Sequence, residues 1–251
     1  MPYYYKLPGG PVYKLYLDML KQTHLLVAGE AGSGKSVVIN GIVTTAAHHA
    51  PGDYQLILID PKRVELSQFK ALPHCIEYAS EPTDMLQALK DAILIIDDRY
   101  KQMQAEGKRK YNGSKILVII DEMADLLTTQ KKAVKPLLQR ISQIGRASNV
   151  MLIGATQRPT NDIIGNAITV NMDARVGLRT RSAQESRNII GRAGCETLPR
   201  YGNCYYMTPE QFKLYQGIPL IPDEEQQRII DHWRTALPHF CNVQIKQKTG
   251  A

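Results

Sequence analysis

The residues of this sequence that are best suited to chemistry form a glycine-rich loop ending in lysine and serine. The segment from Gly29 to Ser36 reads GEAGSGKS and matches the pattern G-x-x-x-x-G-K-[ST] in full. Its three glycines allow the backbone to bend so that successive N–H groups face the oxygens of a bound phosphate. The Lys35 ammonium can reach the outer phosphates of a nucleotide, and the Ser36 hydroxyl can bind Mg²⁺. The loop therefore predicts a nucleotide-phosphate site.

The elements around the loop support this prediction. An apolar strand is expected over residues 25–28, and apolar residues recur at helical spacing after Ser36, which gives the strand, loop and helix order that the motif requires. A chance match in a chain of average composition is expected on the order of 1% of the time. The residues assigned to the phosphates are Gly29, Glu30, Ala31, Gly32, Ser33, Gly34, Lys35, Ser36 and Val37.

Two acidic residues follow another apolar segment. Residues 115–120 read KILVII, and Asp121 and Glu122 come directly after them. An aspartate at a strand end can hold Mg²⁺, while the adjacent glutamate can polarise a water that attacks a terminal phosphate. The pattern is common by itself, but after a phosphate loop it predicts the second half of a nucleotide site. Gln157, behind a further apolar segment, could sense the γ-phosphate.

Basic residues follow the apolar segment over residues 54–59. The chain continues there with Asp60, Pro61, Lys62 and Arg63. Ligands of open α/β sheets bind at the carboxyl ends of the strands, so we expect these charges at the functional edge of a sheet.

The elements needed to position these residues alternate along the chain. Strands are expected over residues 25–28, 54–59, 115–120, 150–155, 174–178 and 203–206, and residues 73–75 are expected to begin an irregular link. Helices are expected after the loop, over 83–105, and over about 133–148, where Pro136 is tolerated only in the first turn. This order predicts an α/β fold with a mainly parallel sheet flanked by helices on both faces.

Composition narrows the class of protein. The 251 residues are 43% hydrophobic and 22% charged, which is ordinary for one globular α/β domain. No apolar run approaches the roughly 18 residues of a membrane span, and no signal peptide is recognisable, so we expect a cytoplasmic chain. The four cysteines lack metal-site spacing. The net charge of +7 fits either a polyanionic partner or an ordinary lysine-rich surface.

Several blocks, taken in order, resemble one family. They are HLLVAGEAGSGKS, LILIDPKRVELSQFKALPH, ILVIIDEMADLL, RISQIGRASNVMLIGATQRPTNDII and ARVGLRTRSAQESRNIIGRAGCETL, and the likeness extends from about Asp18 to Trp233. This set resembles the FtsK/SpoIIIE DNA-translocating ATPases. It is far more specific than a phosphate loop, which alone would also fit kinases, GTPases and transporters.

The resemblance implies a RecA-like motor subunit that forms a hexameric ring and moves double-stranded DNA by hydrolysing ATP with Mg²⁺. Lys35 and Ser36 match the family's phosphate and Mg²⁺ positions, and Asp121 and Glu122 match its metal-binding and catalytic carboxylates. Gln157 matches its sensor glutamine. Arg146 lies where the family has an arginine finger, a guanidinium supplied to a neighbouring subunit. The alternative for Arg146 is a solvated residue at a helix end, with Arg140 as the reserve candidate.

The same resemblance suggests where DNA is contacted. Arg158 and Arg187 match pore-loop positions that touch the DNA backbone, contacts that carry no base sequence, and Lys62 and Arg63 are further candidates. Ordinary salt bridges are the alternative for each arginine. One departure from the family is Ala183, which replaces a lysine thought to act on the neighbouring subunit's nucleotide. Arg181 could substitute for that lysine.

The domain organisation expected from these observations is simple. Residues 1–23 form a lead-in, residues 24–240 an FtsK-type RecA-like ATPase motor domain, and residues 241–251 a polar tail. Family members also carry a membrane-anchoring region and a winged-helix module that reads orienting sequences, and neither is recognisable. We therefore expect a loading or membrane-anchored partner, and a role either in DNA transfer of a mobile element or in chromosome segregation. The alternative is a type VII-like secretion ATPase that acts on protein substrates.

Overall fold

One mixed sheet organises the part of the chain that the structure describes. The structure, a computed structural model, describes residues 11–161, 163, 168, 170–218 and 220–237, so the expected tail over 241–251 and the first ten residues of the expected lead-in lie outside it. The strands within this part are β1 (Leu25–Ala28), β2 (Tyr54–Ile59), β3 (Cys75–Ala79), β4 (Lys115–Ile120), β5 (Val150–Thr156), β6 (Ala174–Leu178), β7 (Cys204–Thr208) and β8 (Gln211–Tyr215).

The strand order places the phosphate loop near the middle of the sheet. The order is β3-β2-β4-β5-β1-β6-β7-β8. All pairings from β3 to β6 are parallel, while β7 and β8 are added antiparallel. This confirms the mainly parallel α/β sheet that the sequence predicts.

The register brings four strand ends to one level. Ala28 of β1 is opposite Thr156 of β5, and Ile59 of β2 is opposite Ile120 of β4. The segments that follow these strands therefore lie side by side along one edge, which we call the carboxyl edge. The edge at which the same strands begin is the amino edge.

Helices cover both faces of the sheet, as expected. They are α1 (Pro11–Leu20), α2 (Lys35–Ala47), α3 (Pro82–Ala105), α4 (Met123–Ile144), α5 (Ala183–Ile190) and α6 (Asp223–Ala236). Leu25 and Val27 of β1 join a core with α1, α2 and α6, whereas Leu26 and Ala28 join a second core with α3, α4 and α5. This alternation buries both faces of the strand. None of the described helices is long and apolar enough to cross a bilayer.

The helix expected over residues 133–148 has different bounds. α4 begins at Met123, is interrupted at Gln130 by non-helical backbone angles (φ −136°, ψ 33°), and ends at Ile144. Pro136 lies in the second turn after this interruption rather than in a first turn, so the expected start was wrong. The chain turns at Gly145, where a Cβ would lie 2.4 Å from Val150 O. Arg146 consequently follows the helix and is not part of it.

Two strands were not predicted, and both lie at the margins of the sheet. Residues 73–75 were expected to begin an irregular link, yet Cys75 starts β3, which pairs with β2. β8 is the other margin, and the side chains at its centre are exposed, so its residues lack the apolar signal of a core strand.

Candidate nucleotide site

The phosphate loop connects the end of β1 to the start of α2. Gly34 has a φ of 107°, in the left-handed region, and a Cβ at this position would lie 3.0 Å from the backbone of Gly202. At Gly29 a Cβ would lie 2.6 Å from the Cβ of Leu178. Both positions therefore require glycine. The first turn of α2 carries no acidic residue, so its N–H groups and the helix dipole remain favourable for an anion.

Lys35 and Asp121 meet at the carboxyl edge, where the segments that follow β1 and β4 come together. Lys35 Nζ donates to the Asp121 backbone carbonyl at 2.7 Å and forms an ion pair with the Asp121 carboxylate. Both side chains are buried. The contact joins the first residue of α2 to the first residue after β4, so the two motifs predicted separately from the sequence form one site.

The donor atoms at this edge fit a nucleotide with Mg²⁺. Ser36 supplies a hydroxyl and Asp121 a carboxylate, and Mg²⁺ prefers oxygen ligands, binding few protein groups together with phosphates and water. Ser33 Oγ is buried and has no hydrogen-bond partner among the described residues, so it can contact a phosphate. No group of three or more His, Cys, Asp or Glu side chains in the described chain could hold a metal by itself.

Glu122 is buried and held by several donors. Thr156 Oγ1 donates to Oε1 at 2.6 Å, and the Gln157 backbone N–H donates to Oε2 at 3.0 Å. The Ala124 N–H also donates to Oε1, at 3.3 Å, so that Glu122 caps α4. The contact with Thr156 follows from the register, since Ile120 is opposite Gly154. Sequence reasoning missed Thr156. Its signal is a polar residue at the end of a fully buried strand.

Two arginines lie beside the carboxylate of Glu30, the second residue of the loop. Arg179 directly follows β6, and Arg200 precedes β7. Its carboxylate lies 3.0 Å from Arg179 Nε and 3.5 Å from Arg200 Nε. Its backbone N–H donates to the Arg179 carbonyl at 2.7 Å. The loop is also tied to the segment before β7, because the Gly202 N–H donates to the Ser33 carbonyl at 3.0 Å. The two arginines lie against the loop as ion-pair partners of Glu30, and no local sequence pattern predicts either contact.

Comparison with known proteins decides the family. A sequence model of the FtsK/SpoIIIE family matches residues 10–115, which include the phosphate loop. The DNA translocase FtsK of Staphylococcus aureus (strain Mu50) is 36% identical over an alignment of 250 positions that covers 90% of this chain and 31% of that protein. The chain belongs to the FtsK/SpoIIIE family. It spans about a third of the length of the curated relatives it matches.

Solved structures share the fold. The pCW3 conjugation coupling protein TcpA, in its monomer form with ATPgS, has a TM-score of 0.74 at 22% identity, covering 86% of this chain and 66% of that one. The cytoplasmic domain of the Thermomonospora curvata type VII secretion ATPase EccC has a TM-score of 0.72 at 21% identity, covering 84% and 28%. The FtsK/SpoIIIE chain therefore has the fold of P-loop ATPases.

The arginine-finger candidate of this FtsK/SpoIIIE chain lies away from its own phosphate loop. Arg146 is exposed in the turn between α4 and β5, at the amino edge, whereas Gln157 follows β5 at the carboxyl edge. A strand of seven residues spans roughly 20 Å, so the length of β5 separates the two residues. Arg140, the reserve candidate, is exposed on α4.

The residues that the family resemblance places near DNA occupy two parts of the carboxyl edge. Gln157 and Arg158 line a cavity of about 500 Å³ together with Arg181. Arg187 is exposed in the last turn of α5, the helix that begins at Ala183 and is capped by Ser182, which accepts from the Glu185 N–H at 3.2 Å. Arg181 is therefore beside Gln157, while Arg187 lies in the last turn of α5.

Lys62 and Arg63, also expected near DNA, differ in their surroundings. Lys62 Nζ lies 3.7 Å from Glu122 Oε2 and 4.0 Å from Asp125 Oδ2, which sequence reasoning did not anticipate. Arg63 forms an exposed ion pair with Glu81. β2 and β4 are neighbours in the sheet, which brings the loop after β2 against the acidic pair.

Two buried groups at the amino edge have pKa values well below their ordinary values. Burial lowers the pKa of the His24 imidazole to about 4, and its Nδ1 accepts from the Leu152 N–H at 2.9 Å. Burial also lowers the pKa of Lys115 to about 8, although its ammonium donates to the carbonyls of Leu20 and Gln22 at 2.6 and 2.7 Å. These groups tie α1, β1, β4 and β5 together and are structural.

Proposed function

We propose that this chain is a Mg²⁺-dependent ATPase whose hydrolysis moves DNA through a ring of identical subunits. The observation that carries the proposal is the meeting of Lys35, Asp121 and Glu122 at the carboxyl edge. Support for DNA as the substrate comes from the relatives at 34 to 36% identity, which are DNA translocases by name. Because the chain spans only part of those proteins, the activity and the substrate are proposed for it and not carried over.

Each group at the carboxyl edge has a separate role in the proposed hydrolysis. The loop backbone and Lys35 bind and orient the phosphates, while Ser36 and Asp121 would hold Mg²⁺. The bound ion neutralises charge on the phosphate oxygens. Glu122 accepts a proton from the attacking water, and its burial beside Thr156 fixes the carboxylate for that role. Gln157 follows Thr156 and is suited to sense the γ-phosphate.

We expect nucleotide binding to replace the Lys35–Asp121 ion pair with a phosphate contact of Lys35 and a Mg²⁺ contact of Asp121. Lys35 and Asp121 neutralise each other inside the protein, where an unpaired charge would be costly. A triphosphate offers Lys35 a stronger anion, which leaves the Asp121 carboxylate for Mg²⁺. We expect Lys35→Ala to abolish hydrolysis, because it removes a phosphate contact and leaves Asp121 buried without its cation.

The ring is part of the proposal because Arg146 lies at the amino edge. An arginine finger supplied by a neighbouring copy makes hydrolysis depend on assembly. Arg158 and Arg187, both exposed, are proposed to contact the DNA backbone, with weaker candidates in Lys62 and Arg63. A loading or membrane-anchored partner is proposed as well, in DNA transfer of a mobile element or in chromosome segregation.

A secretion ATPase for protein substrates is the second candidate. It rests on the fold likeness to the type VII secretion ATPase EccC, which at 21% identity concerns the fold alone. The DNA motor is preferred because the relatives named as DNA translocases are more similar in sequence.

The test is the ATPase rate of one preparation without DNA, with linear duplex and with single-stranded DNA. The proposal expects hydrolysis that requires Mg²⁺ and increases with duplex DNA. Arg158→Ala and Arg187→Ala should weaken duplex binding equally for unrelated sequences and reduce its salt dependence. A rate that DNA leaves unchanged, together with unaltered DNA binding by both variants, would overturn the DNA motor.

A further inference from the structure

The catalytic carboxylate accepts hydrogen bonds at both of its oxygens and has a lysine beside one of them. An ionised carboxylate offers about four lone-pair positions. Glu122 Oε1 accepts from Thr156 Oγ1 at 2.6 Å and from the Ala124 and Gln157 N–H groups, each at 3.3 Å. Oε2 accepts from the Gln157 N–H at 3.0 Å and lies 3.7 Å from Lys62 Nζ. Lys62 therefore lies beside the oxygen with fewer hydrogen bonds, which is the one with room to take a proton from water.

Lys62 is the partner that can leave. Three of the contacts come from backbone N–H groups, and Thr156 is fully buried in β5. The Lys62 side chain is 42% exposed, whereas that of Glu122 is 3% exposed. The ammonium thus contacts solvent on one side and the carboxylate on the other. Its distances to Glu122 and Asp125, 3.7 and 4.0 Å, are those of loose ion pairs rather than tight hydrogen bonds.

The loop that carries Lys62 is anchored on both sides of it. Asp60 is buried, and its Oδ2 accepts from the Leu66 N–H at 3.0 Å, which closes the loop. Arg63 forms an ion pair with Glu81, the residue directly before α3. The backbone of Lys62 is therefore fixed while its long side chain can turn from Glu122 to an anion in solvent without moving the fold.

We propose that Lys62 restrains Glu122 and that a DNA phosphate releases it. Lys62 is a positioning residue that acts through Glu122, and this inference rests on the proposed function. Without DNA, the ammonium stays beside Oε2 as its ion-pair partner. A polyanion at the carboxyl edge offers the lysine a more highly charged partner, so the population shifts to a state in which Oε2 is free to accept a proton. DNA binding thereby raises the hydrolysis rate.

The experiment measures kcat and KM for ATP, with and without saturating duplex DNA, in the full chain. Lys62→Met removes the charge and keeps the length of the side chain, and Lys62→Arg restores the charge. Lys108→Met is the matched control, because Lys108 is similarly exposed and pairs with Glu106 at 2.7 Å, distant from the carboxyl edge. Thermal melting of each variant checks that the fold is retained.

The inference expects Lys62→Met to raise kcat without DNA by about three- to fivefold, the range for loss of one partly exposed ion pair. The ratio of kcat with DNA to kcat without DNA should fall by the same factor, while KM for ATP stays unchanged. Lys62→Arg and Lys108→Met should keep the wild-type ratio.

Two results would overturn the inference. In one, Lys62→Met leaves the DNA-free kcat unchanged or lower and keeps the wild-type ratio at saturating DNA. In the other, Lys62→Met requires a higher DNA concentration for stimulation, but its ratio of kcat with saturating DNA to kcat without DNA equals that of the wild type. That result would make Lys62 a DNA contact only. Failure of the proposed function is separate, since it shows as a wild-type rate that duplex DNA leaves unchanged.

Discussion

At the carboxyl edge of the sheet the charges of the nucleotide site are buried and paired, whereas at the amino edge Arg146 is exposed. At the carboxyl edge, Lys35 and Asp121 neutralise each other, and Glu122 accepts a hydrogen bond from Thr156. Among the described residues, Arg146 takes part in no recorded ion pair. The buried charges of the carboxyl edge are therefore paired within the chain, whereas the Arg146 guanidinium at the amino edge is exposed and can pair with an anion of another molecule.

The difference indicates how the site is completed. A buried and paired set of charges can bind and align a nucleotide. Charge also develops on the phosphate oxygens during hydrolysis, and an arginine finger would stabilise it. We propose that the exposed Arg146, roughly a strand's length from the carboxyl edge of its own chain, supplies that guanidinium to another copy. In the proposed assembly, one copy's amino edge would contact the next copy's carboxyl edge, and such a heterologous contact generates a ring where the rotation between copies closes.

The largest expected effect is that of removing the exposed guanidinium. Arg146→Ala should lower kcat for ATP by roughly 10³-fold or more, the range for loss of an arginine finger. ATP affinity should be nearly unchanged, because the carboxyl edge is intact. Steady-state ATPase assays and nucleotide titration measure the two quantities. Arg140→Ala, on exposed α4 surface, is the control, and a larger loss there than at Arg146 would reassign the finger.

Removing the base at the carboxyl edge should have a similar but smaller effect. Glu122→Gln keeps the shape of the side chain and loses its proton affinity, so kcat should fall by roughly 10²- to 10³-fold. The variant should still bind ATP with Mg²⁺, which a fluorescent ATP analogue can follow. If Glu122→Gln hydrolysed ATP at the wild-type rate, Glu122 would not be the base.

The amino edge should also govern the pH dependence of stability. Burial lowers the pKa of His24 to about 4, below its ordinary value of 6.5, so between these values the unfolded chain binds more protons. The stabilisation is complete above pH 6.5 and is lost as the pH falls towards 4, amounting to about 3 kcal/mol.

Urea unfolding between pH 7 and pH 4.5 measures this loss. His24→Gln should flatten the profile, because glutamine has no proton to gain and its carbonyl can accept from the Leu152 N–H. His232→Gln, on α6, serves as the control. An unchanged profile in His24→Gln would place the pH sensitivity with other groups, among them His48 and His74, whose pKa values burial also lowers to about 4.

The smallest effect is expected from Thr156, which positions Glu122. Thr156→Val removes the hydroxyl that donates at 2.6 Å and keeps the branched shape of a buried strand residue. Loss of one hydrogen bond to a charged group should lower kcat by about tenfold. Thr156→Ser, which retains the hydroxyl, should restore most of the rate in the same ATPase assay. Equal rates for valine and serine would show that the hydroxyl has no part in hydrolysis.

The comparison of the edges also explains what the sequence could predict. Gly29 to Ser36 and Asp121 to Glu122 are contiguous motifs, each next to an apolar strand, so local pattern was sufficient to find both. Their meeting followed from the rule that parallel strands share a carboxyl edge. The phosphate loop, the acidic pair and the mainly parallel sheet could therefore be predicted.

Residues that depend on strand order could not be predicted. Thr156 and Lys62 reach Glu122 because β2 and β5 flank β4, and no local pattern encodes that order. Arg179 and Arg200 reach Glu30 for the same reason. The start of α4 was misjudged because Pro136 suggested a first turn, whereas the helix is interrupted earlier, at Gln130.

Mixing two inactive variants tests most directly the claim that two copies complete one site. Arg146→Ala keeps an intact carboxyl edge, and Glu122→Gln keeps an intact amino edge. In a randomly mixed ring, about a quarter of the interfaces would join the two intact edges, so ATPase activity should recover to as much as that fraction of wild type. A mixture no more active than the mean of the separate variants would contradict the account and return Arg146 to a role within its own chain.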